Sequence, residues 1–208
     1  MSLPNGTPTP AELRANLDAR TAQMVEHVKQ FVNIESPSNE PEMLQRSAEF
    51  LAKVMTELLG KAPQIIASDK GPHVHWKGSD DTKVLIVGHH DTVFPKGTVA
   101  KRSFSIDGDI ARGPGIFDMK AGIIQAIYGL SEIREASGAE ILITSDEEIG
   151  SYASRELIEA RAKATGNVLV FEPSGNGDAL KIARKGVGTF VVDIAGRASH
   201  AGLEPEKG

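Results

Sequence analysis

The 208-residue sequence contains no cysteine. That excludes a disulfide framework and thiolate metal chemistry, so any bound metal must be held by His, Asp or Glu. Positive charge is not in excess either. With 23 Lys and Arg against 28 Asp and Glu, the formal net charge is -5, and no basic stripe marks a nucleic-acid partner. No apolar run approaches the roughly 20 residues needed to cross a bilayer, and residues 1–10 lack the basic and apolar regions of a secretory leader. These absences predict a soluble, cytoplasmic protein without membrane contact, an address that a leader removed ahead of Met1 would change. Internal repeats and low-complexity segments are also lacking. The length suffices for one well-buried domain, or for one and a fragment of a second.

What is present begins with helices. Thr9-Pro10-Ala11-Glu12 has the form of a capping box with proline at the first helical position, and Leu13, Leu17, Met24, Val28 and Phe31 continue at helical spacing. One long amphipathic helix is expected there. Ser36-Pro37-Ser38-Asn39 breaks it, and Leu44, Ala48, Leu51, Val54, Met55 and Leu58 mark a second helix that Gly60 closes. Both helices read as scaffold. Residues 64–67, 73–76 and 83–87 then read as short strands, the last a nearly continuous apolar run of the kind found inside a sheet. A helix over about 119–134, a strand over 141–144, a helix over about 151–162 and a strand over 168–171 follow. Strands alternating with helices predict an α/β layer with a largely parallel core. Residues 188–194 alternate as a strand with nothing after it to pair or cover it, which predicts the first piece of a second domain.

Three of these strands run directly into residues of ligand type. One leads into Gly88-His89-His90-Asp91, one into Ser145-Asp146-Glu147-Glu148 and one into Glu172-Pro173. In open α/β sheets, ligands bind in the crevice beyond the strand C-termini, so all three clusters can face one site. If the backbone stays extended, His89 and Asp91 lie on the same side and the carboxylate can fix the imidazole tautomer for a metal, while His90 points away. Asp118 follows the flexible Arg112-Gly113-Pro114-Gly115 and precedes an apolar helix; the glycines permit the close approach that a metal-bridging carboxylate needs. Glu147 and Glu148, as neighbours in an extended segment, point in opposite directions, allowing one to bind metal and the other to act as a base.

Each segment also has a plainer reading. Gly-His-His-Asp is compatible with a polar surface turn, Asp118 with a helix N-cap, the acidic pair with a solvated loop, and Glu172 with an ordinary acid at a strand end. Their joint order, His-x-Asp, Gly-Pro-Gly with Asp, Asp-Glu-Glu, then Glu-Pro, favours the chemical reading over four separate accidents.

From about Lys83 to Gly202 the chain resembles the zinc metallopeptidase family that includes carboxypeptidase G type glutamate carboxypeptidases, aminoacylases, acetylornithine deacetylase and succinyl-diaminopimelate desuccinylase. Gly88-His89-His90-Asp91-Thr92-Val93 is similar to the first zinc motif of that family. The second is matched by Gly113-Pro114-Gly115-Ile116-Phe117-Asp118-Met119-Lys120-Ala121-Gly122 and the third by Ser145-Asp146-Glu147-Glu148-Ile149-Gly150-Ser151. Phe171-Glu172-Pro173-Ser174 and Gly196-Arg197-Ala198-Ser199-His200-Ala201-Gly202 complete the set. The resemblance implies a three-layer catalytic domain holding two zinc ions, for which cobalt or manganese would also suit the ligands. His89 and Glu172 would bind one ion, Glu148 the other, and Asp118 both; Asp91 would orient His89, and Glu147 would be the general base. His200 would help to hold the substrate.

Arg184-Lys185-Gly186 resembles the start of the family's lid and dimerisation domain, which implies a boundary near residue 184: residues 1–184 catalytic, residues 185–208 the beginning of the lid. The implied activity is metal-dependent amide hydrolysis releasing a C-terminal amino acid such as glutamate from a peptide or N-acyl amino acid. Deacylation or desuccinylation of acylated amino acids is the rival, and a non-catalytic module that only binds metal or peptide is the alternative outside enzymes. Asp-Glu-Glu-Ile-Gly-Ser followed by Phe-Glu-Pro-Ser leans toward the carboxypeptidase branch. The family's remaining zinc histidine lies beyond the lid and has no counterpart in these residues. The chain is therefore expected to be an N-terminal fragment with low or no activity alone, from a protein that dimerises through its lid.

Overall fold

The computed structural model describes residues 8–133 and 136–208. The expected lack of a leader over residues 1–7 and the end of the helix expected to reach Arg134 lie outside the described residues. Two compact units are present, one ending at Pro173 and the other running from Ser174 to Gly208.

The first unit opens with α1 (Pro10–Ala19) and α2 (Thr21–Asn33). The capping box forms as expected: Thr9 N–H donates to the Glu12 carboxylate at 2.8 Å, and Glu12 N–H donates to Thr9 Oγ1 at 3.3 Å. The single long helix does not, because Arg20 leaves helical geometry at φ -101°, ψ 5°. Its guanidinium is drawn instead to Ser131 Oγ at 3.0 Å and Glu132 Oε1 at 2.6 Å, and lies over the Tyr128 ring. α3 (Pro41–Leu59) ends as the sequence predicts, with Gly60 at φ 71°, where a side chain would be strained.

Then come β1 (Gln64–Ile66), β2 (His73–Lys77), β3 (Val84–His89), a short α4 (Thr98–Lys101), and β4 (Ser105–Asp107) with β5 (Ile110–Arg112). β4 and β5 form an exposed hairpin absent from the expectations; its mark in the sequence is the two-residue turn Gly108-Asp109, with Gly108 at φ 58°. α5 (Ala121–Ser131), β6 (Ala139–Thr144), α6 (Arg155–Thr165) and β7 (Val168–Val170) complete the unit. Two helices start later than expected. Asp118 and Met119 have non-helical backbone ahead of α5, and Asp146 binds the amides of Ala153 and Ser154 in a turn ahead of α6.

The five-stranded sheet has the order β1-β2-β6-β3-β7. β3 pairs parallel with β6 and with β7, whereas β2 pairs antiparallel with β1 and β6, so the sheet is mixed, its parallel part centred on β3. Alternation along β6 assigns its two faces. Ile141 and Ile143 join Val74, Ile86, Phe31, Leu51, Ile124 and Ile127 in a core beneath α2, α3 and α5. Glu140 turns to the other side and meets Arg161 of α6. Helices thus cover both faces, the three-layer α/β arrangement expected.

The chain leaves β3 through α5 to reach β6 on one side, then crosses back through α6 to β7 on the other. Their C-terminal ends converge there, with His89 opposite Thr144 and Val87 opposite Val170. This reversal is where open α/β sheets form binding crevices.

In the second unit the strand expected over residues 188–194 is not formed. Only short 3-10 turns, Asn176–Asp178 and Pro205–Lys207, occur among its residues. The unit holds no other strand to supply ladder hydrogen bonds, and one strand alone cannot satisfy its backbone. No helix among the described residues is long and apolar enough to cross a membrane.

Candidate metal centre

His89 is the last residue of β3 and is buried. Its Nδ1 lies 3.0 Å from the backbone oxygen of Asp91 and 3.4 Å from Asp91 Oδ1. A carbonyl oxygen only accepts, so Nδ1 carries a proton and Nε2 faces the remaining acids. Asp118 Oδ1 is 3.0 Å from Nε2, Glu172 Oε1 is 3.2 Å and Glu147 Oε2 is 3.9 Å. His89, Asp118 and Glu148 each offer a ligand atom within 4.8 Å of the others. The sequence-expected metal ligands His89, Asp118, Glu148 and Glu172 therefore meet at one place, with Asp91 and Glu147 beside them.

His90 turns the other way, as the strand period requires. It is fully buried, with Nε2 donating to the Pro72 carbonyl at 2.9 Å and Nδ1 2.9 Å from Ser47 Oγ. Burial pushes its pKa down to about 4, so it remains a neutral core side chain.

Asp91 links two of the motifs. One carboxylate oxygen accepts the Glu147 amide at 3.2 Å; the other accepts the Glu148 amide at 3.2 Å and the Ser38 hydroxyl at 2.7 Å. Burial would raise its pKa, but His89 and Ser38 hold it below the ordinary value. It remains an anion that orients the imidazole on one side and caps the turn carrying both glutamates on the other.

Two further residues seat Asp118. Met119 is buried, with its Sδ accepting the His89 amide at 3.3 Å. Lys120 is buried at 1% exposure and donates to the carbonyls of Phe31 at 3.0 Å and Ile34 at 2.7 Å. Burial lowers its pKa to about 7 against the opposing charge of Glu35. α5 also runs very close to the end of β7: a Cβ on Gly122 would stand 2.0 Å from the Phe171 carbonyl oxygen. Among these supports, Ser38 appeared in the sequence only as part of a helix break, and Met119 and Lys120 only as motif neighbours. Nothing local distinguishes their roles.

The electrostatics are those of a cation site. Burial opposes charge on His89, yet hydrogen bonds to Asp91 and Glu172 and the charge of Glu147 carry its pKa up to about 11. Burial also raises the pKa values of Glu147 and Glu148, with Asp91 and Asp118 adding repulsion that His89 only partly offsets. One imidazole with its lone-pair position facing several carboxylates, and no thiolate, is a donor set that fits zinc, with cobalt or manganese as substitutes.

A cleft of about 560 Å³ opens beside Glu148, lined in part by Pro37, Val93, Phe94, Pro95 and Ile149. His200 belongs to the second unit, where its Nδ1 accepts the amides of Gly202 and Leu203 at 3.1 Å each.

The chain is 35% identical to carboxypeptidase G2 of a Pseudomonas species over 89% of its own length and 47% of that protein. It is 29% identical to the succinyl-diaminopimelate desuccinylase of Sphingopyxis alaskensis over 60% of its length and 36% of that enzyme. It thus spans about half or less of the curated relatives it matches. Among solved structures, the M20 family metallo-carboxypeptidase Sso-CP2 of Sulfolobus solfataricus shares the fold, with a TM-score of 0.60 at 19% identity, covering 73% of this chain and 38% of that one. The sequence profile of peptidase family M20/M25/M40 matches residues 85–200, a span that includes every residue gathered around His89, and the chain belongs to that family.

Proposed function

We propose that this chain supplies the metal-binding part of a hydrolase that cleaves an amide bond and releases a C-terminal amino acid, such as glutamate, from a peptide or N-acyl amino acid. The observation that carries the reading is the convergence of His89, Asp118, Glu148 and Glu172 at the strand ends, with Glu147 at their side. The similarity to carboxypeptidase G2 supports the choice of bond. In this reading His89 and Glu172 would hold one zinc ion, Glu148 would hold a second, and Asp118 would serve as a ligand to both. Bound there, zinc would supply Lewis acidity toward the scissile carbonyl and would lower the pKa of water toward about 7.

The chain's own residues do the rest. Asp91 holds the His89 ring with Nδ1 toward its backbone oxygen, so Nε2 is the nitrogen that a metal would take in exchange for its proton. Glu147 is half-exposed and its proton affinity is raised by burial and acidic neighbours, which suits a group that must gain and release a proton near neutrality. It takes a proton from the attacking water as oxygen bonds to the carbonyl carbon. It then delivers that proton to the leaving nitrogen as the C–N bond breaks. His200 assists substrate binding, residues 1–184 belong to the catalytic domain, and residues 185–208 begin a lid through which the whole protein dimerises.

A second reading, removal of an acyl group such as succinyl from an amino acid, draws on the similarity to desuccinylases. It uses the same metals and base with a different substrate pocket.

The test uses full-length protein and its Glu147→Gln and Asp118→Ala variants, assayed for zinc by mass spectrometry and for cleavage of a folate-type glutamate conjugate and of N-succinyl-diaminopimelate. Glu147→Gln is expected to keep its zinc and to lose about 100- to 10,000-fold in turnover. Asp118→Ala is expected to lose metal. Zinc retained by Asp118→Ala together with full turnover by Glu147→Gln would overturn the reading, and the preferred substrate separates the two chemistries.

A further inference from the structure

Asp118 is the least enclosed of the acids around His89, its side chain 55% exposed, yet the two residues that follow it are almost fully buried. Its 3.0 Å contact with the His89 ring is one that Glu172 shares at 3.2 Å, and a single shared contact does not by itself fix an exposed carboxylate on a glycine-flanked turn. Its placement must come from the backbone, and the backbone is tied down by Met119 and Lys120. Met119 engages the amide of His89 itself.

Lys120 reaches away from the site. Its ammonium donates to the Phe31 and Ile34 carbonyls at the C-terminal end of α2, and stands 4.8 Å from the centre of the Phe31 ring. The Phe31 carbonyl also accepts the Ile34 amide at 3.2 Å in the closing turn of α2, and the negative partial charge at a helix C-terminus makes both carbonyls good acceptors for a buried cation. Phe31 is in turn stacked on Phe50, with ring centres 5.3 Å apart, so the lysine is fastened to the helical layer and not to a mobile surface.

We propose that Lys120 is a positioning residue for the metal centre: by bonding to the end of α2 it fixes the turn that carries Asp118, and so sets the reach of that carboxylate toward the metal. This rests on the reading of Asp118 as a metal ligand. The sign of the effect is diagnostic. Removing a positive charge near a cation site favours cation binding by charge alone, whereas loss of an anchor weakens it by releasing the ligand.

The experiment measures zinc affinity by chelator competition, and the visible spectrum after cobalt substitution, in full-length wild type and Lys120→Met. Methionine keeps the length and apolar stem but cannot donate to the two carbonyls. The expected result is a dissociation constant raised about tenfold or more, the scale seen when the support of a ligand is lost, with an altered cobalt spectrum in protein that is still folded. Unchanged or tighter zinc binding with an unaltered spectrum would overturn the proposal, whatever the loss of thermal stability.

If Lys120→Met does not fold, Lys120→Gln decides, because its amide stays polar in the buried site but is one atom too short to hold both carbonyls. A severalfold weaker affinity supports the anchor, and an unchanged one overturns it. Wild-type protein that takes up no zinc would overturn the metal reading beneath the proposal, and the proposal with it, without reference to either variant.

Discussion

Glu140 and His89 are both buried, on neighbouring strands of one sheet, yet the charges around them are arranged in opposite ways. Glu140 receives Arg161 through two hydrogen bonds, at 2.9 and 2.7 Å, and Thr82 at 3.1 Å, with His75 3.5 Å away. Its charge is matched, and its pKa lies below the ordinary value because Arg161 outweighs the cost of burial. His89 faces Asp118, Glu147 and Glu172 on one side and Asp91 on the other, so that several carboxylates share one imidazole. In the first cluster a guanidinium matches the carboxylate; in the second, carboxylates outnumber the one imidazole they surround. Buried charge is therefore no guide to function until its partners are named, and carboxylates gathered about one imidazole are the arrangement that suits a cation.

The comparison can be broken most severely at Arg161. Arg161→Met leaves Glu140 buried and unpaired, and is expected to cost about 3–5 kcal/mol in urea unfolding at neutral pH while leaving zinc content unchanged. Acid offers a related test. Because the pKa of Glu140 is lowered in the folded state from the ordinary 4.5, its stabilisation is fully present above that value and lost as the pH falls through the folded value. Wild-type stability should therefore fall below about pH 4.5, and Arg161→Met should flatten that decline.

At the other cluster, zinc at 100 times its dissociation constant should stabilise the wild type by about 2.7 kcal/mol, an increment measured by calorimetry and absent in Asp118→Ala. The smallest change is expected when the paired cluster is replaced outright. A Glu140→Met/Arg161→Leu double variant should stay within about 1 kcal/mol of wild type, because matched charges can be exchanged for apolar volume. A large loss there would mean that the network does more than fill the sheet face.

Much of this arrangement is legible in the sequence, and the illegible parts share a cause. β3, β6 and α3 announce themselves through apolar runs or periods, His89, Asp91, Glu147, Glu148 and Glu172 through their position after strands, and Asp118 through the glycine-rich loop before its helix. The break at Arg20 does not, since the helical period continues through it and the interruption comes from Ser131 and Glu132, more than a hundred residues on. Ser38 is similarly hidden, its partner Asp91 lying 53 residues away. The strand expected over residues 188–194 failed for the converse reason: alternation marks a segment that is able to pair, and the partner is not written in it.

The contact at Gly122 gives the metal centre a dimension. With only a hydrogen facing the Phe171 carbonyl, the start of α5 and the end of β7 close to a separation that no larger residue permits. Asp118 precedes one of these backbones and Glu172 follows the other, so the spacing of two acids rests on the narrowness of a third residue that touches neither. A methyl group there would act as a wedge, opening the cluster without altering a single ligand. The width of the cluster is thus gauged by a residue with no side chain.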